Sequence, residues 1–209
     1  MAEKKIYTSD PNKPTCGPCS YINLFGLNGN PQLEQKLHEE GRIKPFMISL
    51  YPSFFEWGEE HGTPVEAHVE SQEINDKMLK LMFYYEKTSE KDKGSFATKA
   101  REYLSKMNQK YVSKIHSLEN PIDKLSELLK KHERVAVLVS NGYRNKTPVP
   151  HWIVVYGQEE DKFNVMDSGS RENNGEIILT KDQLQKSFDQ DRKLGFGVQL
   201  IVPVKNTKS

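Results

Sequence analysis

The sequence predicts an α+β fold in which a helical first part packs on a mostly antiparallel sheet drawn from the last third. Three observations lead there. Apolar residues recur at helical spacing up to about residue 132, and short Val/Ile-rich runs replace that pattern afterwards. Pro, Gly, Asn and Asp mark most of the joins. The 209 residues include nine Phe, nine Tyr and two Trp, enough bulky material for a core without covalent staples. One domain over residues 1–209 is expected, with a helical subdomain at about 14–132 and a sheet subdomain at about 133–204.

The elements follow in order. A helix opens at Cys16 with Pro18 in its first turn, carries Tyr21, Ile22, Leu24 and Phe25, and stops at Asn28-Gly29. Asn30-Pro31 caps a second, whose stripe is Leu33 and Leu37 and whose end is Gly41. Ser49 to Glu60, with Tyr51, Phe54, Phe55 and Trp57, reads as a third closed by Gly62. Thr63 to Val69 suits a short strand. Ile74 to Tyr85 and Phe96 to Ile115 suit helices, and Asn120-Pro121 caps another with Ile122, Leu125, Leu128 and Leu129. The period then changes. Arg134–Ser140, His151–Gly157, Phe163–Asp167, Gly175–Leu179 and Phe196–Val202 read as strands, with a small helix at Thr180–Phe188.

Composition excludes several classes. Mean hydropathy is −0.74, yet the aromatic content is that of a folded chain. The start MAEKKIYTSD has no apolar targeting stretch, and the runs Val135–Val139 and Trp152–Tyr156 are too short to cross a bilayer. No membrane role and a cytoplasmic location are therefore expected. Two cysteines make no secreted disulfide framework, and a net charge of +1 argues against a nucleic-acid partner. Charge is uneven along the chain, however. Residues 53–76 hold seven acidic residues and no Lys or Arg, and residues 87–114 hold eight basic against three acidic residues. Such runs are usually solvated helix faces; the sharper expectation is a rim that attracts an acidic peptide.

Both cysteines fall in the stretch PTCGPCS, Pro14 to Ser20. A dithiol redox motif would follow a buried parallel strand, but Ser9 to Thr15 contains two prolines and cannot be one. Zinc would need two further ligands, and His61 and His68, the nearest pair, lack finger spacing. Neither metal nor cofactor is expected. A nucleophilic cysteine needs a histidine and an orienting polar group that are distant in sequence. Cys16 at a helix start has first-turn N–H groups to favour its thiolate and a free backbone N–H for an oxyanion. His151 opens the strongest strand pattern, and Asp167 closes the next one. A hairpin around Gln158 to Lys162 would bring those two together.

Thr15-Cys16-Gly17-Pro18, His151-Trp152-Ile153-Val154-Val155-Tyr156-Gly157 and Met166-Asp167-Ser168-Gly169 resemble the three motif blocks of papain-like cysteine peptidases of the bacteriocin-leader-processing type. Soluble relatives with Thr-Cys-Gly-Pro near the start include proteins that trim added glutamate tails. The resemblance covers the motif blocks and the helices-then-sheet order, and leaves about Gln72 to Asn120 unmatched. It implies a papain-like fold with Cys16 as nucleophile, His151 as base and later acid, and Asp167 as orienting carboxylate. Cys19 stands where such enzymes place a small inward-facing residue. The glutamine that completes their oxyanion hole has Asp10 at its position, and an ionised carboxylate has no proton to donate. Asn12, or Asn141 or Gln158 from elsewhere, could supply an amide beside the Cys16 N–H. The expected function is a cysteine peptidase or isopeptidase acting on a peptide or protein through an acyl-enzyme. The alternatives are a silent peptide-binding module of the same fold and a dithiol oxidoreductase.

Overall fold

In the computed structural model the described residues are 6–8, 15–40, 50–141, 149–170 and 172–204. The first half of the chain supplies α1 (Cys16–Phe25), α2 (Pro31–Glu40), α3 (Tyr51–His61), β1 (Val65–Val69), α4 (Asp76–Tyr85), α5 (Lys93–Lys110) and β2 (Ile115–Ser117). The second half supplies α6 (Pro121–Lys131), β3 (Val135–Ser140), β4 (Pro150–Glu159), β5 (Lys162–Met166), β6 (Glu176–Thr180), α7 (Lys181–Leu194) and β7 (Gln199–Pro203). The fold is α+β, as expected.

All seven strands belong to one sheet in the order β2-β1-β7-β3-β4-β5-β6, and only the β1/β2 pair is parallel. This corrects the expected boundary near residue 132, because β1 and β2 come from the helical part and extend the sheet at one edge. Residues 112–117, expected to continue or directly follow a helix, leave it once α5 ends at Lys110. Ile115 then pairs in register with Ala67 and is buried there. Tertiary pairing has overridden a helical pattern.

Helices cover both faces of the sheet, where one helical layer was expected. Ala136, Leu138, Trp152, Val154 and Ile201 join Tyr21, Ile22, Phe54, Met78 and Phe96 in one apolar cluster. Val135, Val137, Val139, Ile153, Val155 and Leu200 join Leu125, Leu128, Leu184 and Phe188 in the other. Residues alternate between the clusters because successive strand side chains point to opposite faces. Each large apolar side chain buried this way stabilises the fold by about 1.5–3 kcal/mol.

The acidic and basic runs of the sequence meet in space. Lys110 Nζ lies 2.6 Å from Glu59, Arg101 lies 3.0 Å from Asp76, and the Tyr103 hydroxyl donates to Glu56 at 2.7 Å. Part of each run therefore neutralises the other.

Candidate active site

α1 is the helix on which the site is built. Gly26 ends it at φ 61°, and residues 17 to 24 are all buried, so its start is held by packing along its length. Thr15 at the N-cap does not cap the helix with its side chain. Its hydroxyl donates instead to Glu34 of α2, a buried carboxylate that also accepts from the Tyr7 hydroxyl at 2.7 Å. Tyr7 is tied back to α1 by its amide, which donates to Asn23 Oδ1 at 2.8 Å. Residues 7, 15 and 34 thus lock the turn that presents Cys16.

Neither Cys16 nor Cys19 is in a disulfide, and their surroundings differ. Cys16 is partly exposed, whereas Cys19 is fully buried on the inner side of the same helix, as the spacing implied. α3 completes the wall behind them: the Phe54 ring packs tilted against Trp152, the residue after His151, at 4.6 Å and edge-on to Trp57 at 5.2 Å.

His151 sits at the start of β4 opposite Val139 of β3. β4 and β5 form the expected hairpin, turning at Glu160 with φ 52°. The ladder slips between Val155 and Gly157, leaving Tyr156 as an extra residue, so that Val154 faces Met166. Without that bulge Val154 would face Asp167 and turn the carboxyl toward the α1 side. With it, the continued register sets Asp167 across from Ile153, on the same face as His151. A slip of one residue exchanges the faces of a strand, and the bulge makes that exchange here.

The contact is made. His151 Nε2 lies 2.8 Å from Asp167 Oδ1, and Asp167 is fully buried. The Gly169 amide donates to the same oxygen at 3.0 Å, and the Asp167 amide donates to the Gly175 carbonyl at 2.7 Å. Gly175 adopts φ +89°, and a Cβ there would meet the Asp167 carbonyl oxygen at 2.9 Å, so the turn that carries Asp167 requires glycine.

With Nε2 given to Asp167, the other ring nitrogen is left for the Cys16 sulfur, and each of the two groups shifts the titration of the other. Burial pushes the Cys16 thiol up, but the hydrogen bond and charge of His151, with the amides of Trp152 and Gly17, outweigh it and hold the thiol below its usual value. Burial pushes His151 down, yet Asp167 and Cys16 raise it to about 9. Both directions favour the thiolate–imidazolium form of the pair.

The structure therefore brings together all three residues expected to act, Cys16, His151 and Asp167. Asp10 and Asn12 lie outside the described residues. Gln158 is corrected: it is seven residues along β4 from His151, at the far end of the hairpin, where its Nε2 donates to the Glu160 carbonyl at 3.0 Å. Asn141 stands at the site end of β3, its Oδ1 accepting from the Val149 amide at 3.2 Å. The histidines considered for zinc are engaged elsewhere, His61 beside Glu40 at 3.4 Å and His68 stacked on His116 at 4.8 Å. Among the described residues the one cluster of potential metal ligands is Glu40, Glu60 and His61, and Lys36 approaches both of its carboxylates at 3.3 and 3.6 Å. The sequence also left Glu34 and the amides of Gly17 and Trp152 unassigned. Backbone donors have no residue signature, but an acid three residues before Leu37 on an apolar stripe was a legible signal for Glu34.

The model of a family described as Peptidase_C39 like matches residues 59–194. The chain belongs to this Peptidase_C39-like family. No curated protein matches it. The family relation makes the chain peptidase-like and agrees with a papain-like form of the α+β fold. The matched segment contains His151 and Asp167 and begins after Cys16. It also takes in Gln72 to Asn120, which the motif resemblance had left unmatched. No described helix is long and apolar enough to cross a membrane.

Proposed function

We propose that this protein is a cysteine peptidase or isopeptidase that cleaves an amide bond through an acyl-enzyme on Cys16. The supporting observation is the chain of contacts from the buried Asp167 carboxylate through the His151 ring to the Cys16 sulfur at the start of α1. The thiolate attacks the amide carbonyl carbon, and the electron pair moves to the carbonyl oxygen. The Cys16 N–H, a first-turn donor outside the helical ladder, faces that developing charge. His151 gives its proton to the departing amine as the C–N bond breaks and a thioester remains. Water then attacks the thioester, His151 accepts its proton, and Cys16 leaves as the thiolate. Asp167 keeps the ring oriented and stabilises its positive charge throughout. The substrate is a peptide or protein; a tail rich in acidic residues is compatible with those basic residues of 87–114 that are not paired in the fold.

A thiol-directed electrophile at mildly acidic pH provides the test. Wild type and Cys19→Ser are expected to label strongly at one site, and Cys16→Ser not at all. Equal labelling of both cysteines, or no labelling of folded wild type, would remove the support for this reading. Turnover is expected to decline as pH rises through about 9, where the imidazolium is lost.

A further inference from the structure

On the face of the sheet that α7 covers, close to His151, a second carboxyl is sealed into the protein. Asp191 of α7 is fully buried, and neither of its oxygens has a partner in good hydrogen-bond geometry, the Ser140 amide being the nearest donor to act on it. Ser187, one turn earlier on the same helix face, is also buried with an unpartnered hydroxyl. Buried polar atoms are nearly always satisfied, so three unsatisfied atoms one turn apart on one helix need a reason.

Their position suggests one. His151 pairs across the ladder with Val139, and Val139 lies in the apolar cluster that includes Leu184 and Phe188 of α7. Asp191 continues that helix face toward the end of β3, where Ser140 pairs with Pro150. His151 is within electrostatic reach of its carboxyl. The other charged groups acting on it are already committed. Glu70 is held by a two-pronged contact with Arg192 and by the Val198 amide, and Arg192 also binds Asp189 at 2.7 Å. From α6 and β6 come Leu125, Leu128 and Leu179, and α4 meets the end of α7 through Asn75, which donates to the Gly195 carbonyl at 2.7 Å. Burial first, and the negative charge of Glu70 with it, push the Asp191 carboxyl well above the usual carboxylate range; the Ser140 backbone, His151 and Arg192 pull the other way without prevailing.

We propose that Asp191 is a positioning residue for His151, its buried carboxyl placing a fixed dipole on the α7 side of the ring and so supporting the Cys16–His151 ion pair. The proposal rests on the reading of Cys16 and His151 as the reactive pair. On packing grounds alone a leucine would serve better among Leu184, Phe188 and Leu125, because an unsatisfied carboxyl costs stability there. A costly polar group next to a reactive pair is the pattern of a residue kept for the site.

The rate of Cys16 alkylation by iodoacetamide between pH 4 and 9, measured on the full chain with its thermal midpoint, decides the matter. Asp191→Leu is expected to melt at or above wild type, yet to move the acid limb of the alkylation profile up by about one pH unit, on the order of tenfold slower at the foot of the limb. Asp191→Asn keeps a buried carbonyl dipole and is expected to follow the wild-type profile. An Asp191→Leu profile that superimposes on wild type overturns the proposal, as does an Asp191→Asn profile displaced like that of leucine. If Asp191→Leu does not fold, Asp191→Ala takes its place in the same profile. A wild type whose Cys16 shows no selective reactivity counts against the underlying pair instead, which separates the two failures.

Discussion

The two halves of the candidate site are held by different means. His151 and Asp167 stand at the ends of β4 and β5, fixed by the backbone ladders of those strands and by a turn in which the Gly169 amide binds the Asp167 carboxyl and the Ser170 amide its carbonyl. Cys16 depends on a helix end whose approach is tied by side chains, Thr15 and Tyr7 to Glu34 and Tyr7 to Asn23. The acid–base half is thus determined by main-chain geometry and tolerates change in its neighbours. The nucleophile half rests on a few hydroxyl–carboxylate contacts, and each is a single substitution away from loss. The family match has the same division, since it includes the first half and not Cys16.

The largest expected effect lies in the hairpin. His151→Ala should slow Cys16 labelling at pH 6 by on the order of 10²–10³-fold, because the thiolate loses its counter-charge, whereas Asp167→Asn should cost roughly tenfold by weakening the orientation only. Rates of adduct formation by mass spectrometry check this, and an unchanged rate in His151→Ala would mean that the assigned pair is wrong. Next comes the anchor of the nucleophile. Glu34→Ala should cost about 1–3 kcal/mol, because the buried Thr15 hydroxyl and the partly buried Tyr7 hydroxyl lose their acceptor. Hydrogen exchange should show faster exchange over residues 15–20 with β4 and β5 still protected, and equal loosening of both regions would dissolve the contrast.

A smaller effect tests the Asp167 turn. Gly175→Ala should destabilise by about 1–2 kcal/mol, from the positive φ and the crowded approach to the Asp167 carbonyl, read as a lower urea midpoint. The smallest effect separates the chemistry of the site from the acid sensitivity of the fold. Burial first, then the nearby positive charges of Lys124 and His116, holds His68 down at about 4. The unfolded chain therefore takes up a proton near pH 6.5 that the folded chain refuses, and stability falls between pH 6.5 and about 4. His151 has the opposite sign. Its raised value contributes stability that is complete below pH 6.5 and lost as pH rises through about 9. His68→Gln should thus flatten the decline of the urea midpoint from pH 6.5 to 4.5 and leave the labelling profile of Cys16 in place.

Much of this was legible in the chain. The helix end at Gly62, the Pro121 start of α6 and the Val/Ile runs of β3 and β4 are local signals, and local physics reads them, whereas α1 stops at Gly26 and not at the expected Asn28-Gly29. Cys16, His151 and Asp167 could be singled out because each stands at the boundary of an element, where side chains face a cleft. Glu34 and Asp191 could not be recognised as parts of the site in the same way. Glu34 shows only its place on the apolar stripe of α2, Asp191 shows its place one turn from Phe188, and what each contacts is settled by elements distant in sequence. The β2 strand was misjudged for the same reason, since pairing with β1 outweighed the helical spacing around Ile115.

Composition, periodicity and motif spacing alone determined the α+β class, the order of the elements other than β2, and the three residues on which the proposed chemistry rests, because these depend on residue type and on neighbours within a few positions. The tertiary structure alone decided that β7 runs between β1 and β3, that helices cover both faces of the sheet, and that a single bulged residue at Tyr156 turns Asp167 to the side of His151. Register across a sheet is set by contacts between strands far apart in the chain and by one-residue slips, and those energies are not contained in any local stretch of sequence.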